Sequence, residues 1–204
     1  MNSKIKVIFW DFDGVLMDSN AVRDHGFEQV LREYPKQKTK ELLKYHRENG
    51  GLSRYVKFRY FFEEIMSTLI SDDEIQEWAD KFSQVMRKLL LNKDLLIQET
   101  INFIKRNQEN YRMYITSGSD QEELRFLCKS LEIDHLFNSI HGSPKPKKEW
   151  VKDLIEINRY DKKDCVLVGD SYNDFEAARA NDIAFQPYNY SGKISFEVLN
   201  CLSI

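Results

Sequence analysis

The chain has 204 residues, of which 42% are hydrophobic and 31% are charged, with only 8 glycines and 4 prolines. This mixture is typical of globular proteins and excludes disordered, collagen-like and low-complexity chains. The 30 Lys and Arg residues against 33 Asp and Glu residues give a formal charge of −3, so the chain lacks the basic excess of a nucleic-acid-binding protein.

Targeting signals and cysteine usage indicate the compartment. No apolar stretch approaches the ~18 residues that span a bilayer, and the N-terminus has no export signal. Cys128, Cys165 and Cys201 form no CxxC pair, and their odd number fits buried thiols in a reducing environment. We therefore expect a cytoplasmic protein that binds neither membranes nor nucleic acid.

Short apolar segments rich in β-branched and aromatic residues alternate with helical patterns. The strand-like segments are 5–10, 112–115, 139–141, 165–168 and 183–185. From residue 94 onward, the helical patterns are 94–108, 120–132 and 147–158. Strands alternating with helices of this length predict βαβ units and a parallel sheet. In such sheets ligands bind beyond the carboxyl ends of the strands.

One long segment interrupts the alternation with four helical stretches at 20–34, 36–48, 52–68 and 71–91. Tyr34-Pro35, Gly50-Gly51 and a capping-type sequence that starts at Ser71 separate these stretches. The sequence thus predicts a Rossmann-like α/β core domain made of residues 1–19 and 92–204. A small helical cap domain, residues 20–91, would lie over the strand ends.

Polar side chains collect where the predicted strands end. They are Asp11, Asp13, Ser117, Lys147, Asp170 and Asp174. Clustered carboxylates repel one another unless a cation neutralises them, and a hard ion such as Mg²⁺ prefers oxygen ligands. A carboxylate beside Mg²⁺ can attack phosphorus, and a second one two residues later can protonate the leaving oxygen. A hydroxyl, loop amides and a lysine would neutralise the phosphoryl oxygens.

The residues 11–19, with the sequence DFDGVLMDS, resemble the first motif of the haloacid dehalogenase superfamily of phosphohydrolases. Residues 115–118 (ITSG), 142–147 (GSPKPK) and 168–174 (VGDSYND) resemble the other three motifs, in the order that this family uses. The resemblance covers residues 5 to about 186. An insert after the first motif is similar to the C1-type cap of the phosphoglycolate phosphatase and β-phosphoglucomutase branch.

The resemblance implies a role for each of these residues. Asp11 would be the nucleophile, and Asp13 the general acid that later activates water against the aspartyl phosphate. Ser117, Gly118 and Lys147 would bind the phosphate. Since dehalogenases of the superfamily lack an acid at the position of Asp13, the resemblance favours phosphate esters over carbon–halogen bonds.

The resemblance also implies a metal site. Asp11, the backbone carbonyl of Asp13 and Asp170 would bind Mg²⁺. Asp174 would act through a water molecule or by orienting its neighbours.

Two of these assignments have competitors within the same motifs. Lys145 and Lys148 lie near the same predicted helix start as Lys147. Lys145-Pro146 resembles the Lys-Pro of one branch of the family, whereas the spacing of Lys147 to the helix residues 149–151 resembles the pattern in which that lysine is functional, and we favour Lys147. We favour Ser117 over Thr116 because Gly118 then separates it from the expected helix cap, Ser119.

The cap would select the substrate. Gly51 forms part of a tight turn between helices, and the cations that follow it, Arg54 and Lys57, could meet an anionic substrate. Taken singly, each cation is more typical of surface charge. His46 is expected to be structural or exposed.

These observations predict a Mg²⁺-dependent phosphatase of a small phosphorylated metabolite, such as a sugar phosphate or a phosphoglycolate-like acid. A phosphomutase of the β-phosphoglucomutase type and a non-catalytic regulatory protein are the alternatives. A monomer and a homodimer remain equally open.

Overall fold

The computed structural model describes residues 5–189. Within this range one parallel sheet has the strand order β3-β2-β1-β4-β5. Its strands are β1 (Val7–Trp10), β2 (Arg112–Asp120), β3 (Ser139–Ser143), β4 (Cys165–Gly169) and β5 (Ala184–Pro187). Trp10, the last residue of β1, pairs with Ile115 on one side and with Val168 on the other. The carboxyl ends of β1, β2 and β4 are therefore side by side, which confirms the predicted α/β fold.

Four α-helices form the insert that follows β1: α1 (Asn20–Val30), α2 (Lys36–Glu48), α3 (Arg54–Tyr60) and α4 (Asp72–Leu89). A π-helical turn, Phe61–Ile65, continues α3. At the start of α4, the Ser71 side chain accepts from the Glu74 backbone N–H, and the Glu74 carboxylate accepts from the Ser71 backbone N–H. This capping box stabilises the helix start, as the sequence predicts.

The remaining helices are α5 (Gln98–Asn107), α6 (Gln121–Ser130), α7 (Lys147–Asn158) and α8 (Tyr172–Ala180). The bounds of α7 match the predicted 147–158. The sequence analysis did not predict α8, because small residues, Ala177 and Ala178, form much of its buried face and leave no stripe of large apolar residues.

Strand β2 is longer than predicted. It continues through Thr116, Ser117 and Ser119 to Asp120, with a register shift against β3 in this stretch. Ser119 is therefore not the helix cap: Asp120 caps α6 by accepting from the backbone N–H groups of Glu122 and Glu123.

The sheet is covered on both faces. In β1, Val7 and Phe9 pack in one hydrophobic cluster, whereas Ile8 and Trp10 pack in the other, since side chains alternate along a strand. The second cluster continues into the helices of residues 20–91 through Phe27, Phe58 and Phe82. The division into two domains stays a prediction, because the apolar packing between sheet and helical insert is continuous.

Two further expectations concern the membrane and the cysteines. Among residues 5–189, every helix falls short of the length and apolar character that a bilayer crossing requires. Cys128 and Cys165 are buried free thiols, as expected, and Cys201 lies outside the described residues.

Candidate active site

The sheet brings three predicted carboxylates together. Asp11 follows β1 directly, and its backbone N–H donates to the Val168 carbonyl at 2.9 Å, which holds the loop against β4. One carboxylate oxygen from each of Asp11, Asp170 and Asp174 lies within 4.8 Å of the other two. Asp11 and Asp174 are buried, so their charges are poorly screened by solvent.

Lys147, the first residue of α7, lies against this cluster. Its Nζ is 2.7 Å from Asp11 Oδ1 and also contacts Asp174. Burial opposes its charge, but Asp11 and Asp174 raise the pKa of the Lys147 ammonium above its usual value. Lys145 instead pairs with Asp153 and lies 4.2 Å from the centre of the Trp150 ring. Of these two lysines, the geometry favours Lys147 as the one that meets a ligand.

One lysine does not neutralise three carboxylates. Burial, followed by the charge of Asp174, raises the pKa of Asp11 well above its usual range and that of Asp170 to about 7. Gly14 keeps space beside Asp170: its φ is +77°, and a Cβ there would lie 2.0 Å from Asp170 Oδ2. Closely spaced carboxylate oxygens with an excess of negative charge fit a hard divalent cation such as Mg²⁺.

Both oxygens of Asp174 already have protein partners. Oδ1 contacts Lys147, while Oδ2 accepts from the Ser171 hydroxyl at 2.6 Å and from the Ser171 backbone N–H at 3.0 Å. This capping box at the start of α8 fixes the side chain. The arrangement favours Asp174 as an orienting residue over a direct metal ligand.

Asp13 lies in a different environment, surrounded by donors. Its Oδ2 accepts from Ser119 Oγ at 2.6 Å, and its Oδ1 accepts from Arg23 Nε at 2.7 Å and from the Ser19 hydroxyl. Burial alone would raise the pKa of Asp13, but the charge of Arg23 and these hydrogen bonds lower it to about 2. Asp13 is therefore an oriented, ionised carboxylate.

The sequence analysis missed Arg23 and Ser119 as partners of Asp13. Arg23 comes from α1, and no periodicity connects it with a loop ten residues earlier. Ser119 follows the second motif by one residue, and the expected role as a helix cap concealed it. Ser19 stands at the N-cap position of α1 but makes no capping hydrogen bond, because its hydroxyl points to Asp13.

Ser117 and Gly118 line a cavity of about 390 Å³ together with Asp11 and Asp13. The Ser117 Oγ accepts from the Ser119 backbone N–H at 3.0 Å. Thr116 is fully buried, and its hydroxyl has no hydrogen-bond partner among the described residues. The position on the cavity wall favours Ser117 over Thr116 for contact with a ligand.

The turn between α2 and α3 closes over this cavity. Gly51 has a φ of +78°, and its carbonyl accepts from Asn173 Nδ2 at 3.0 Å. A Cβ on Gly118 would lie only 2.0 Å from the Gly51 carbonyl oxygen, so the two backbones are in close contact. The predicted specificity turn thus lies directly against the second and fourth motifs.

Arg54 and Lys57 also line the cavity, but neither is a surface residue. Each is only 4% exposed, so the alternative that they are solvated charges is wrong. Arg54 Nη1 donates to Glu123 Oε2 and to Ser83 Oγ, both at 2.6 Å. Glu123, fully buried on α6, also accepts from Arg23 Nη1 at 2.9 Å. A buried carboxylate of α6 therefore joins two arginines of the helical insert.

His46, expected to be structural or exposed, lies on the cavity wall. The centre of its ring lies 5.0 Å from the centre of the Phe27 ring, and its Nε2 is 3.7 Å from Asp24 Oδ1. Burial, followed by the charge of Lys57, lowers the pKa of His46 to about 3. The imidazole is consequently neutral at physiological pH and supports the wall by packing.

Comparison with known proteins agrees with this geometry. A phosphoglycolate phosphatase from Haemophilus influenzae is 23% identical, with 94% of this chain and 90% of the relative covered. A phosphorylated carbohydrates phosphatase from Thermotoga maritima is 22% identical, with coverage of 88% and 82%. A haloacid dehalogenase-like family protein from Streptococcus pneumoniae has a similar fold, with a TM-score of 0.65, 22% identity, and coverage of 92% and 85%.

The family model of haloacid dehalogenase-like hydrolases matches residues 7–186, which include all four motifs. The order of the motifs, the parallel sheet and the convergence of their polar residues agree with that match. This chain therefore belongs to the haloacid dehalogenase-like hydrolases, as its motifs predict.

Proposed function

We propose that this protein is a Mg²⁺-dependent phosphatase that hydrolyses a small phosphorylated metabolite through an aspartyl phosphate. One observation carries the proposal: Asp11 and Asp13 line the same cavity in opposite surroundings. Asp11 lies among carboxylates and Lys147, whereas Asp13 is held by three donors. Two carboxylates with such different environments can divide the work of nucleophile and proton carrier.

Asp11 is the nucleophile of the proposed reaction. Its carboxylate attacks phosphorus while Ser117, Gly118 and Lys147 bind the phosphoryl oxygens. Lys147, 2.7 Å from Asp11, orients the attacking group and neutralises charge in the transition state. Bound Mg²⁺ would neutralise the negative charge of the phosphate and of the carboxylates around it.

The proposed ligands of this ion are Asp11, the backbone carbonyl of Asp13 and Asp170, with Asp174 orienting the site. Their excess negative charge supports this assignment.

Asp13 moves the protons. It protonates the oxygen of the leaving group, then takes a proton from the water that attacks the aspartyl phosphate. The low pKa of Asp13 leaves it ionised in the ligand-free protein. The proton for the first step therefore arrives with the substrate, from the monoanion of its phosphate group, and passes through Asp13 to the leaving oxygen. Asp13 is then ionised again, which is the form that the second step requires. Arg23, Ser19 and Ser119 hold its two oxygens in place.

The substrate is a small molecule. The cavity of about 390 Å³ accommodates a metabolite, and the turn at Gly51 closes over it. The names of the relatives support this class, since they refer to phosphoglycolate and to phosphorylated carbohydrates. We place Gly51, Arg54 and Lys57 among the elements that discriminate between substrates.

Release of inorganic phosphate from a panel of phosphorylated metabolites, with Mg²⁺ present, tests the proposal. We expect turnover of at least one carboxylic acid phosphate or sugar phosphate, and a phosphoryl group on Asp11 by mass spectrometry after rapid acid quenching. Conversion of a hexose 1-phosphate to its 6-phosphate without phosphate release would indicate a phosphomutase instead. No turnover of any substrate, aryl phosphates included, would indicate a non-catalytic protein.

A further inference from the structure

Lys57 is a buried cation without a direct partner in the described part of the chain. It is 4% exposed and lies on the cavity wall as the fourth residue of α3. Among residues 5–189, its ammonium group makes no hydrogen bond or ion pair, and Asp13 and Asp24 act on it only through their charges. A buried charge destabilises the folded state unless an opposite charge accompanies it. The unpaired ammonium group therefore carries an electrostatic cost in the ligand-free protein.

Arg23 adds a second unused donor to the same cavity. Its Nε binds Asp13 and its Nη1 binds Glu123, but the buried Nη2 has no hydrogen-bond partner among the described residues. A guanidinium that is oriented by two carboxylates and keeps one edge free is suited to a further anion, because little freedom is lost when that anion binds.

The other charges of this wall are already paired. Arg54 binds Glu123, Arg23 binds both Glu123 and Asp13, and Arg47 Nε donates to Asp24 at 2.8 Å. Asp13 and Glu123 thus balance the two buried arginines, and Arg47 balances Asp24. The Lys57 ammonium is thus the charge of the described wall that lacks a direct partner. Asp13 and Asp24 attract it without a hydrogen bond or ion pair, so an anion in the cavity would be its first direct partner.

We infer that Lys57 and the free Nη2 of Arg23 form a subsite for a second anionic group, a carboxylate or a phosphate, on the substrate whose phosphate is cleaved at Asp11. This inference rests on the proposed function and narrows it to doubly anionic substrates. It also separates two residues that the sequence treats alike, since Arg54 organises the wall by holding Glu123, whereas Lys57 meets the ligand.

The energetics favour strong discrimination at such a subsite. Burial lowers the pKa of Lys57 to about 7, which measures how unfavourable its charge is without an anion. A neutral or hydroxyl-bearing group would leave that charge unpaired, whereas a carboxylate or phosphate would accept charge-assisted hydrogen bonds. A site built around an unpaired buried group rejects analogues that lack the matching group.

Matched substrate pairs test the inference by kinetics. The carboxylate pair is 2-phosphoglycolate and the analogue in which a neutral carboxamide replaces its carboxylate. The phosphate pair is propane-1,3-diol bisphosphate and 3-hydroxypropyl phosphate. Wild-type protein should prefer the anionic member of at least one pair by more than tenfold in kcat/KM. The pair that shows the preference identifies whether the subsite binds a carboxylate or a phosphate.

The variant Lys57→Met keeps length and removes charge. It should reduce that preference at least tenfold, mainly through KM, and should weaken binding of the preferred substrate to an Asp11→Asn background in isothermal titration calorimetry. Lys40→Met, on the exposed side of α2, is the matched control and should change neither quantity.

Stability provides a measurement that does not depend on turnover. If the ammonium is unpaired without ligand, Lys57→Met should raise the melting temperature of the ligand-free protein, and Lys40→Met should not. A melting temperature of Lys57→Met below that of wild type would mean that the lysine has a structural partner, and would overturn the inference.

The inference and the proposed function fail in different ways. Hydrolysis of both members of each pair at similar rates, or an unchanged preference in Lys57→Met, would overturn the anion subsite while the phosphatase stands. Absence of hydrolysis of every substrate would overturn the phosphatase. The calorimetric comparison and the melting temperatures would still decide whether Lys57 binds an anion.

Discussion

Two regions of this molecule face each other across one cavity, and their charges are opposite. At the strand ends, Asp11, Asp170 and Asp174 share one lysine, so negative charge is in excess. On the helical side, Lys57 has no direct partner among the described residues, and positive charge is in excess. Each region therefore carries an unbalanced charge that a ligand of the opposite charge would neutralise.

The difference teaches what the cavity binds. The excess negative charge at the strand ends favours binding of a cation, and the excess positive charge on the helical side favours binding of an anion. A Mg²⁺ ion and a phosphate ester with a second anionic group would meet both requirements at once. The predictions below change one region at a time and follow what happens to the other.

The largest effect should follow from a change in the carboxylate region. Asp11→Asn keeps the shape of the side chain but removes the attacking oxygen. We expect turnover to fall more than about a thousandfold, as it does when other covalent enzymes lose their nucleophile. Circular dichroism should show an intact fold. Activity within tenfold of wild type would contradict the aspartyl-phosphate mechanism.

Removal of divalent ions should have a comparable effect. A chelator should abolish hydrolysis, and Mg²⁺ should restore it, whereas Ca²⁺ should restore little because its coordination shell is larger and looser. Mg²⁺ should also raise the melting temperature of wild type but not of Asp170→Asn. Full activity in the chelator would rule out the metal assignment.

On the opposite side, Glu123 holds the buried arginines together. Glu123→Gln leaves Arg23 and Arg54 without a shared counter-charge, and removal of one member of a buried ion pair typically costs about 3–5 kcal/mol. Urea denaturation should show a loss of this size. Glu122→Gln, exposed on the same helix, should stay within about 0.5 kcal/mol of wild type. A loss below about 1 kcal/mol for Glu123→Gln would mean that the arginines find other partners.

The most gradual effect concerns pH. Burial lowers the pKa of Lys57 to about 7 in the folded protein, against 10.5 for an ordinary lysine, so the unfolded chain binds more protons between these values. Wild-type stability should therefore increase, relative to Lys57→Met, as the pH rises from about 7 toward 10. The amount by which the unfolding free energy of Lys57→Met exceeds that of wild type should be largest near pH 6. A constant difference in unfolding free energy across this range would mean that the pKa of Lys57 in the folded protein is not lowered into it.

Titration of the neighbouring groups does not explain the expected change in stability between pH 7 and 10. The charged and titratable groups that influence the Lys57 ammonium lie in the loop after β1 and on α1, α2 and α3: Asp13, Arg23, Asp24, His46 and Arg54. Asp13 and His46, with pKa values of about 2 and 3, do not titrate between pH 7 and 10. Urea titrations of both proteins from pH 6 to 10 measure the difference directly.

The carboxylate region could be predicted from the sequence almost completely. Buried strands stop at polar residues, parallel strands end at one edge of a sheet, and each of these rules acts over a few residues. Asp11, Asp170 and Asp174 follow from them without knowledge of the packing. The sequence already favoured Lys147 over Lys145, although both lie near the same helix start, and the structure places Lys147 beside Asp11 and Lys145 beside Asp153.

The helical side of the cavity could be predicted only in outline. The sequence indicated the turn at Gly51 and the cations after it, but the partners of those cations are far away in the chain. Arg54 and Glu123 are separated by 69 positions, and Arg23 and Glu123 by 100. Helical periodicity predicts which face of a helix is buried, but not which charge it meets there.

The sequence by itself thus determined the family, the parallel sheet and the position of the clustered carboxylates, because strand ends and motif spacing are local properties. Only the tertiary structure decided that Arg54 is paired, that Arg23 orients Asp13, and that Lys57 has no direct partner among the described residues. Pairing of buried charges depends on how separate helices pack against the sheet, and that packing is a property of the whole chain.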